Sequence, residues 1–421
     1  MSEPTRVKSW ALLAYTVADD KGGGATLDSP ARRELQAMCD AADFEHVSLA
    51  AQVDFKHSRG AFRGVITDAL RRLHHHDDEE RDDDVNRYPL WRSIVEHLRS
   101  STLSLDVDRR ELNHASSRVL QAFLRFGHRE CPAHRHMLYF YGHGYGPMGL
   151  FFDSSSRSRV AHTLRLNDLA DSIEASDHKA SVVLFRDCYM STLETAYQLK
   201  DVADFMIASQ AEAPVAGVWP WKRFMQELKP SRDSEDVARS IVSHLGEFLD
   251  ADHNRGILAD VPITLLDLRT ADEIVPPLSD LVEALDAARD DESCAQALER
   301  ARVGNPETPS IEPGDPALLD VATMCENLKQ TGLPHVERAA HALGHFVADR
   351  LVKWHHAQKD VHRGVSIYYQ PVTPDDIEHS HIYQPDTAQD DARAYKELAL
   401  NRATGWHRIA LHPLAKAGRR A

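Results

Sequence analysis

The chain has 421 residues, and 42% of them are hydrophobic, so it can bury a substantial core and is not predicted to be disordered. Its 65 acidic residues outnumber its 49 basic ones, and the net charge of −16 argues against a nucleic-acid binder or a protein drawn to anionic membranes. Five scattered cysteines without a CxxC pair argue against a disulfide framework and a cysteine-rich zinc site. No segment approaches the roughly 18 apolar residues of a membrane span, and the first apolar run lacks a signal-peptide cleavage pattern. We therefore expect a cytoplasmic protein with no nucleic-acid or membrane partner.

Short apolar runs recur along the chain and are apolar at consecutive rather than alternate positions. Strands buried on both faces of a parallel sheet have this pattern. Helical patterns lie between them, one at 29–42 that begins Ser29-Pro30 and one at 115–127 that ends in glycine. This alternation predicts an α/β fold with a mostly parallel central sheet. The predicted strands are 10–18, 47–53, 137–141, 181–185 and 205–209.

The pattern changes near residue 260. We predict a core over residues 1–260 and a mainly helical C-terminal region over 261–421, which returns one late strand at 364–370 to pack on the core. Three polar or Pro/Gly-rich stretches are predicted to be loops: 74–84, 301–316 and 371–391.

Two predicted strands end in residues that suit nucleophilic catalysis. His143 follows the strand at 137–141 between two glycines, and Cys188 follows the strand at 181–185. Ligands of open α/β sheets bind at the carboxyl ends of the strands, so both side chains can share one crevice as nucleophile and proton-transfer partner. The amides of Gly144 and Cys188 are candidate oxyanion donors.

The residues after Cys188 favour an activated thiol. Ser191 and Glu194 have the spacing of a capping box, which predicts a helix that begins about one turn beyond the cysteine. The positive end of that helix would favour thiolate over thiol.

The sequence resembles the clostripain family of cysteine peptidases, whose fold is caspase-like. The resemblance rests on "SWALLAYTVADD", "YGHG", "DCYMSTLETAYQLKDVADFMIASQ", "PVAGVWPW", "GVSIYYQP" and "YKELALNRATGW", which occur in the family's order over nearly the whole chain. It implies a caspase-like α/β/α sandwich and a cysteine endopeptidase that uses a His143–Cys188 dyad, with oxyanion donors at Gly144 and Cys188, to cleave protein or peptide substrates. No cofactor is required, and calcium enters only through the resemblance.

The chain departs from the family just before the nucleophile. Family members usually carry Asp-Ala there, and the aspartate binds a basic residue that precedes the scissile bond; here the positions are Arg186 and Asp187. Strand side chains alternate, so residue 186 shares a side with Cys188. Either Arg186 inverts the preference towards acidic residues, or a bulge places Asp187 in the pocket for a basic one. Ser209 and Gln210 either line the substrate cleft or form an ordinary turn.

Family members are often zymogens that are cut between the histidine and the cysteine. The polar stretch 151–162 lies in that interval and suggests cleavage near Arg157 or Arg159. If Arg186 excludes basic residues, an upstream activating protease is a further partner. A regulated role in a bacterial cell, such as stress response or antiviral defence, is a conjecture from this context.

Other interpretations compete with proteolysis. An inert core thiol at Cys188, and a peptidase fold that binds or scaffolds peptides without cutting them, are both open. A metal-dependent hydrolase would use the charge run at 74–84 or the His341–His345 pair, but that pair lacks the glutamate of metallopeptidases, and no metal site is predicted.

Overall fold

The computed structural model describes residues 7–18, 27–55, 62–67, 113–153, 162–213, 217–251, 261–303, 314–356 and 363–414. The strands are β1 (Lys8–Ala18), β2 (Val47–Phe55), β3 (Phe62–Ile66), β4 (Ala133–Tyr141), β5 (Leu150–Asp153), β6 (His162–Leu164), β7 (Ala180–Phe185), β8 (Ala203–Ser209), β9 (Ile263–Asp267), β10 (Leu318–Asp320), β11 (Val352–His356) and β12 (Ser366–Tyr368). All five predicted strands are confirmed.

Helices connect these strands and cover the sheet. They are α1 (Asp28–Ala41), α2 (Ser117–Glu130), α3 (Leu166–Glu174), α4 (Leu193–Leu199), α5 (Trp221–Glu227), α6 (Ser234–Asp250), α7 (Val275–Ala287), α8 (Glu292–Glu299), α9 (Val321–Leu328), α10 (Pro334–Phe346), α11 (Pro374–His379), α12 (Ala388–Lys396), α13 (Ala399–Thr404) and α14 (His407–Ala410). Short 3-10 helices span Gly146–Met148 and Leu268–Ile274, and a π-helical turn spans Val347–Leu351.

Eight of the described strands form one sheet in the order β11-β9-β8-β7-β4-β1-β2-β3. The five strands β2, β1, β4, β7 and β8 are parallel to one another, whereas β3, β9 and β11 pair antiparallel at the two edges. The mostly parallel α/β fold is thus confirmed.

The sheet is covered on both faces, as the consecutive apolar runs predict. Alternate residues of β1 pack into different hydrophobic cores: Leu13 packs with α2, α3 and α7, and Leu12 packs with α1, α5 and α6. Burial of both faces is the physical reason why these strands read as unbroken apolar runs. The architecture is therefore an α/β/α sandwich.

The helix predicted to close at Gly127 instead continues through it to Glu130. A β-carbon at Gly127 would lie 2.7 Å from Cδ2 of Leu13, so the glycine lets α2 approach β1 closely. Close packing, and not a helix end, explains this glycine.

The region after residue 260 contributes to the sheet. β9 pairs with β8, and β11 pairs with β9, so the central sheet extends beyond the predicted boundary. The predicted late strand forms over Ser366–Tyr368 and pairs with β10 in a separate two-stranded sheet. This small sheet contacts the turn after β7, where the Ser366 amide donates to the Ser191 carbonyl at 3.0 Å.

Gln210 joins the end of β8 to this small sheet. Its Nε2 donates to Asp320 Oδ2 at 2.7 Å and to Ser366 Oγ at 2.9 Å, and its Oε1 accepts from the Gly364 amide at 2.9 Å. All of these groups except the amide of Gly364 belong to fully buried side chains. The glutamine therefore fastens the C-terminal region beside the exits of the parallel strands.

We expect Gln210→Ala to lower the free energy of unfolding by about 2–4 kcal/mol, because it leaves buried partners without hydrogen bonds. Urea unfolding followed by circular dichroism measures the change. The control is Gln296→Ala, which removes one exposed hydrogen bond to Glu292 within α8 and should cost about 0.5 kcal/mol or less. Equal effects of the two substitutions would contradict the structural role of Gln210.

Candidate active site

His143 and Cys188 lie at the exits of two adjacent parallel strands. Phe140 of β4 pairs with Phe185 of β7, and the Arg186 amide extends the ladder by donating to the Phe140 carbonyl at 2.8 Å. His143 and Cys188 each lie three residues beyond their paired phenylalanine, and both are half-buried. The register of β4 and β7 therefore places both residues at the same edge of the sheet, at equal distances beyond the last paired residues.

The two turns touch at Gly144. A β-carbon at this position would lie 2.1 Å from the Cys188 carbonyl oxygen and 2.9 Å from the Cys188 nitrogen, so only glycine fits. Among the described residues, nothing accepts a hydrogen bond from the amide of Gly144 or of Cys188. Within the described part of the chain, two N–H groups without an acceptor thus lie next to the Cys188 side chain.

A hairpin holds the backbone of His143. The Phe151 amide donates to the His143 carbonyl at 2.8 Å, and the Tyr145 amide donates to the Gly149 carbonyl at 2.9 Å. Phe151 lies in β5, which pairs with β6 across residues 154–161. Arg157 and Arg159, the predicted cleavage positions, lie outside the described residues.

The surroundings of Cys188 favour the neutral thiol over the thiolate in this conformation. Burial raises the pKa of Cys188 to about 12; the Ala213 amide, which donates to Sγ at 3.3 Å, lowers it, and the nearby carboxyl groups of Glu212 and Asp187 add to the rise. The expectation of a thiolate stabilised by the following helix is wrong for this state. Desolvation of the charged form outweighs a helix that begins only at Leu193.

The predicted capping box is also wrong. Thr192 caps α4 by accepting from the Thr195 amide at 3.2 Å. Ser191 instead donates to the Gly364 carbonyl at 2.7 Å, and Glu194 accepts from the Tyr368 amide and the Tyr395 hydroxyl. Ser191 and Glu194 therefore bind the C-terminal region and do not cap the helix as the local sequence pattern predicts.

Arg186 is buried, with 2% of its surface exposed, and its guanidinium lies 4.4 Å from the ring centroid of Trp219. Its Nε lies 3.9 Å from Oε1 of Glu34, which is longer than a hydrogen bond. Neither Nε nor Nη2 has an acceptor among the described residues. A buried guanidinium with unpaired N–H groups is a costly arrangement that a carboxylate ligand would relieve.

Asp187 is fully buried, and neither carboxyl oxygen has a hydrogen-bond partner in the described part of the chain. Burial raises its pKa well above the usual range and so favours the neutral acid. Its Cβ would lie 3.0 Å from a β-carbon at Gly144, which places it under the contact between the two turns. A neutral carboxyl group offers little attraction to a basic substrate side chain.

Ser209 and Gln210 are both fully buried and hydrogen-bonded inside the protein. Ser209 Oγ donates to the Ala211 carbonyl and accepts from the Ala211 amide, which forms a tight turn. Together with the contacts of Gln210 to the small sheet, this favours the turn role over the cleft role for both residues.

Glu34 of α1 is a site residue that the sequence reading missed. It is buried, and its carboxylate accepts from the Trp219 amide at 3.0 Å and from Nε1 of Trp221. It therefore fixes the segment that carries Trp219 over Arg186. Its position between Ala31 and Leu35 on the apolar face of α1 was the available signal.

The described residues contain no cluster of three or more His, Cys, Asp or Glu side chains that could hold a metal ion. His341 and His345 lie one turn apart on exposed positions of α10, and His345 pairs with Asp349. The charge run at 74–84 lies outside the described residues. Among the described helices, none has the length and apolar character needed to cross a membrane.

Comparisons with known proteins agree with this geometry. The sequence profile of the clostripain family matches residues 103–330, more than half of the chain. No curated protein sequence matches. A secreted C11 cysteine protease from Bacteroides thetaiotaomicron, solved with an irreversible peptide inhibitor, has a similar structure: the TM-score is 0.60 at 16% identity, over 95% of this chain and 99% of that one.

An inactive zymogen C11 protease from Parabacteroides distasonis is similar over 96% of this chain and 99% of its own, with a TM-score of 0.58 at 16% identity. These structural likenesses support the fold, and the family profile spans both His143 and Cys188. The chain therefore belongs to the clostripain family and is a cysteine-type endopeptidase that acts on protein or peptide substrates.

Proposed function

We propose that Cys188 is the nucleophile of this endopeptidase and His143 its proton-transfer partner. The observation that carries the proposal is the paired register of β4 and β7, which delivers both side chains to one edge, with Gly144 pressed against the Cys188 backbone. The alternative, an inert thiol, does not account for a cysteine that is only partly buried at a strand exit next to the turn of a partly buried histidine.

Because the raised pKa of Cys188 favours the thiol, we assign His143 the role of general base before that of general acid. As Sγ attacks the scissile carbonyl, its proton passes to the imidazole, and a tetrahedral oxyanion forms. The imidazolium then gives this proton to the leaving amine, the C–N bond breaks, and a thioester remains. Water hydrolyses the thioester, with His143 again taking and returning a proton. This cycle needs no cofactor, and calcium has no step in it.

The amides of Gly144 and Cys188 are the proposed oxyanion donors. Both lack an acceptor within the described part of the chain, and they belong to two backbones in contact. Preorganised backbone donors of this kind stabilise the developing negative charge in the transition state.

We propose a preference for an acidic residue before the scissile bond. Arg186 replaces the family's aspartate two residues before the nucleophile, and its buried Nε and Nη2 have no acceptor among the described residues. A substrate carboxylate can take both donors in the bidentate geometry that guanidinium favours. The neutral form of Asp187 argues against the opposite preference.

We propose that the chain is made as a zymogen cut between β5 and β6. The Phe151 amide of β5 holds the His143 carbonyl, so a cut in the segment that joins β5 to β6 acts on the support of the histidine turn. An enzyme with an acidic preference does not cleave after Arg157 or Arg159, so the chain would not cut itself there. The cut at these residues would require an upstream protease. A cytoplasmic location and a role in antiviral defence belong to the same proposal and rest on the sequence alone.

Cys188→Ala should abolish cleavage of peptide substrates, and His143→Ala should lower kcat by about 100- to 10,000-fold with a smaller change in KM. Steady-state kinetics with fluorogenic peptides measure both effects. His345→Ala, at an exposed position of α10, is the control and should retain full activity. Wild-type activity of the Cys188→Ala protein would contradict the dyad. No turnover by the wild type after limited proteolysis between β5 and β6, together with no reaction with a thiol-reactive peptide probe, would favour a binding module.

Alkylation of Cys188 should be slow at neutral pH in the uncut chain. Because the pKa of the thiol is raised to about 12, the thiolate fraction should grow about tenfold with each pH unit between pH 7 and 10. Timed iodoacetamide labelling followed by peptide mass spectrometry gives the rate at this one cysteine. An unfolded peptide with the same flanking residues is the control and should level off above about pH 8.5. A plateau below pH 8 in the folded chain would indicate a preformed thiolate.

A peptide library should show cleavage after Glu or Asp in preference to Lys or Arg by about a hundredfold, since a buried charge that is left unpaired costs about 2–5 kcal/mol. Arg186→Asp should reverse this order. Arg186→Gln adds no charge next to Glu34 and serves as a second variant in case the aspartate variant does not fold. It should reduce the ratio of acidic to basic cleavage towards one. Arg269→Gln is the matched control, because that guanidinium also lies 4.4 Å from an aromatic centroid, that of Phe205. Unchanged selectivity in a folded Arg186→Gln protein would refute the pocket.

A further inference from the structure

Glu212 lies beside the nucleophile on the turn after β8. The next residue, Ala213, donates its amide to Cys188 Sγ at 3.3 Å, so the residue that carries this carboxylate directly precedes the one that holds the sulfur. The Glu212 side chain keeps 33% of its surface exposed. A negative charge is therefore accessible next to the reacting sulfur, and the dyad chemistry does not use it.

Two side chains fix the carboxylate. The Tyr189 hydroxyl donates to Glu212 Oε1 at 3.1 Å, and His381 Nε2 lies 3.5 Å from the same oxygen. Tyr189 has a φ of 59°, a left-handed conformation that is unfavourable for a bulky residue. His381 comes from the C-terminal region and is 66% exposed, so a substrate cation can displace it.

The partners of Glu212 and Arg186 belong to the hydrophobic cores on the two faces of the central sheet. Arg186 stacks on Trp219, which belongs to the hydrophobic core of α1, α5 and α6. Tyr189, which holds Glu212, belongs to the other core, and Cys188 packs against both. The nucleophile thus has a buried cation on one side and an accessible anion on the other.

An extended substrate matches this division, because consecutive side chains of an extended chain point to opposite faces. When the residue before the scissile bond points towards Arg186, its neighbour points towards Glu212. Tyr189, the partner of Glu212, adjoins the turn that carries His143: a β-carbon at Gly146 would lie 3.2 Å from the Tyr189 carbonyl oxygen and 3.4 Å from Ile382 Cδ1. We therefore assign Glu212 to the substrate residue after the scissile bond. The leaving amine, protonated by His143, departs on that side.

We propose that Glu212 is a specificity-determining residue that favours Lys or Arg immediately after the scissile bond. The inference rests on the proposed cleavage after an acidic residue and extends it to a substrate class: chains with an acidic–basic junction. A partly exposed ion pair contributes about 1 kcal/mol, so a basic residue after the bond should raise kcat/KM about fivefold over glutamine at that position.

The test uses the full-length chain, before and after limited proteolysis between β5 and β6, and three fluorogenic peptides. The peptides share Glu before the bond and carry Arg, Gln or Glu after it; a fourth moves the Arg to the position before the Glu. We expect kcat/KM to fall in the order Arg, Gln, Glu. In Glu212→Gln the Arg peptide should lose its advantage, and in Glu212→Lys the order should reverse. Glu283→Gln, an exposed carboxylate of α7, is the matched control and should keep the wild-type order.

The outcomes separate the two proposals. Turnover of all peptides with no effect of the residue after the bond, or the same order in Glu212→Gln as in the wild type, overturns the role of Glu212 and leaves the dyad intact. The fourth peptide, with Arg before Glu, could instead be cleaved faster than the others by the wild type but not by Glu212→Gln. The Glu212 carboxylate would then bind the residue before Glu, which likewise overturns the inference. Absence of turnover by the wild type contradicts the proposed function itself, and with it this extension.

Discussion

The active edge depends on the contact between two backbone turns, at Gly144 and Cys188. Strands β4 and β7 enter this contact in register, and the glycine leaves no room for any side chain between the turns. The positions of the histidine, the thiol and the two amides that have no acceptor among the described residues follow from this one constraint, since each is set by its distance along the chain from the paired strands. A shift of either strand by one residue would turn the side chains to the opposite face of the sheet.

Burial sets the electrostatics around that contact. Removal from water raises the pKa values of Cys188 and Asp187, which favours the neutral form of both groups beside the Arg186 guanidinium. Glu34 and the ring of Trp219 partly offset the cost of burying the Arg186 guanidinium. Its Nε and Nη2 groups still have no hydrogen-bond acceptor among the described residues. Under the proposed acidic preference, a substrate carboxylate would bind these donors and offset the stability that the site costs in the free protein. In the proposed mechanism, a neutral thiol makes proton removal part of the reaction, and His143 would then act first as base and afterwards as acid.

The fold, and the placement of His143 and Cys188 at neighbouring strand exits, could be predicted from local patterns because the physics there is local. Strands buried on both faces are apolar at every position, and glycines flank a histidine that must approach another backbone. Other features depend on contacts between residues far apart in sequence. Ser191 and Glu194 have capping-box spacing, but Gly364, Tyr368 and Tyr395 bind them instead. From the sequence, Gln210 is a candidate cleft residue, but its hydrogen bonds to the small sheet show a structural role. Glu34 resembles an ordinary charged helix residue in the sequence, and only the structure shows that it accepts from the Trp219 amide. A single sequence holds no direct signal for such pairings.

The most direct measurement is a crystal structure of the chain after reaction with an electrophilic peptide that ends in glutamate. The account predicts a covalent bond from Cys188 Sγ to the peptide, the former carbonyl oxygen within about 3 Å of the Gly144 and Cys188 nitrogens, and the glutamate carboxylate on the Arg186 guanidinium, with His143 beside the sulfur. An adduct in which His143 points away from the sulfur, or in which the glutamate lies in solvent while Arg186 remains capped by Trp219 and Glu34, would contradict it.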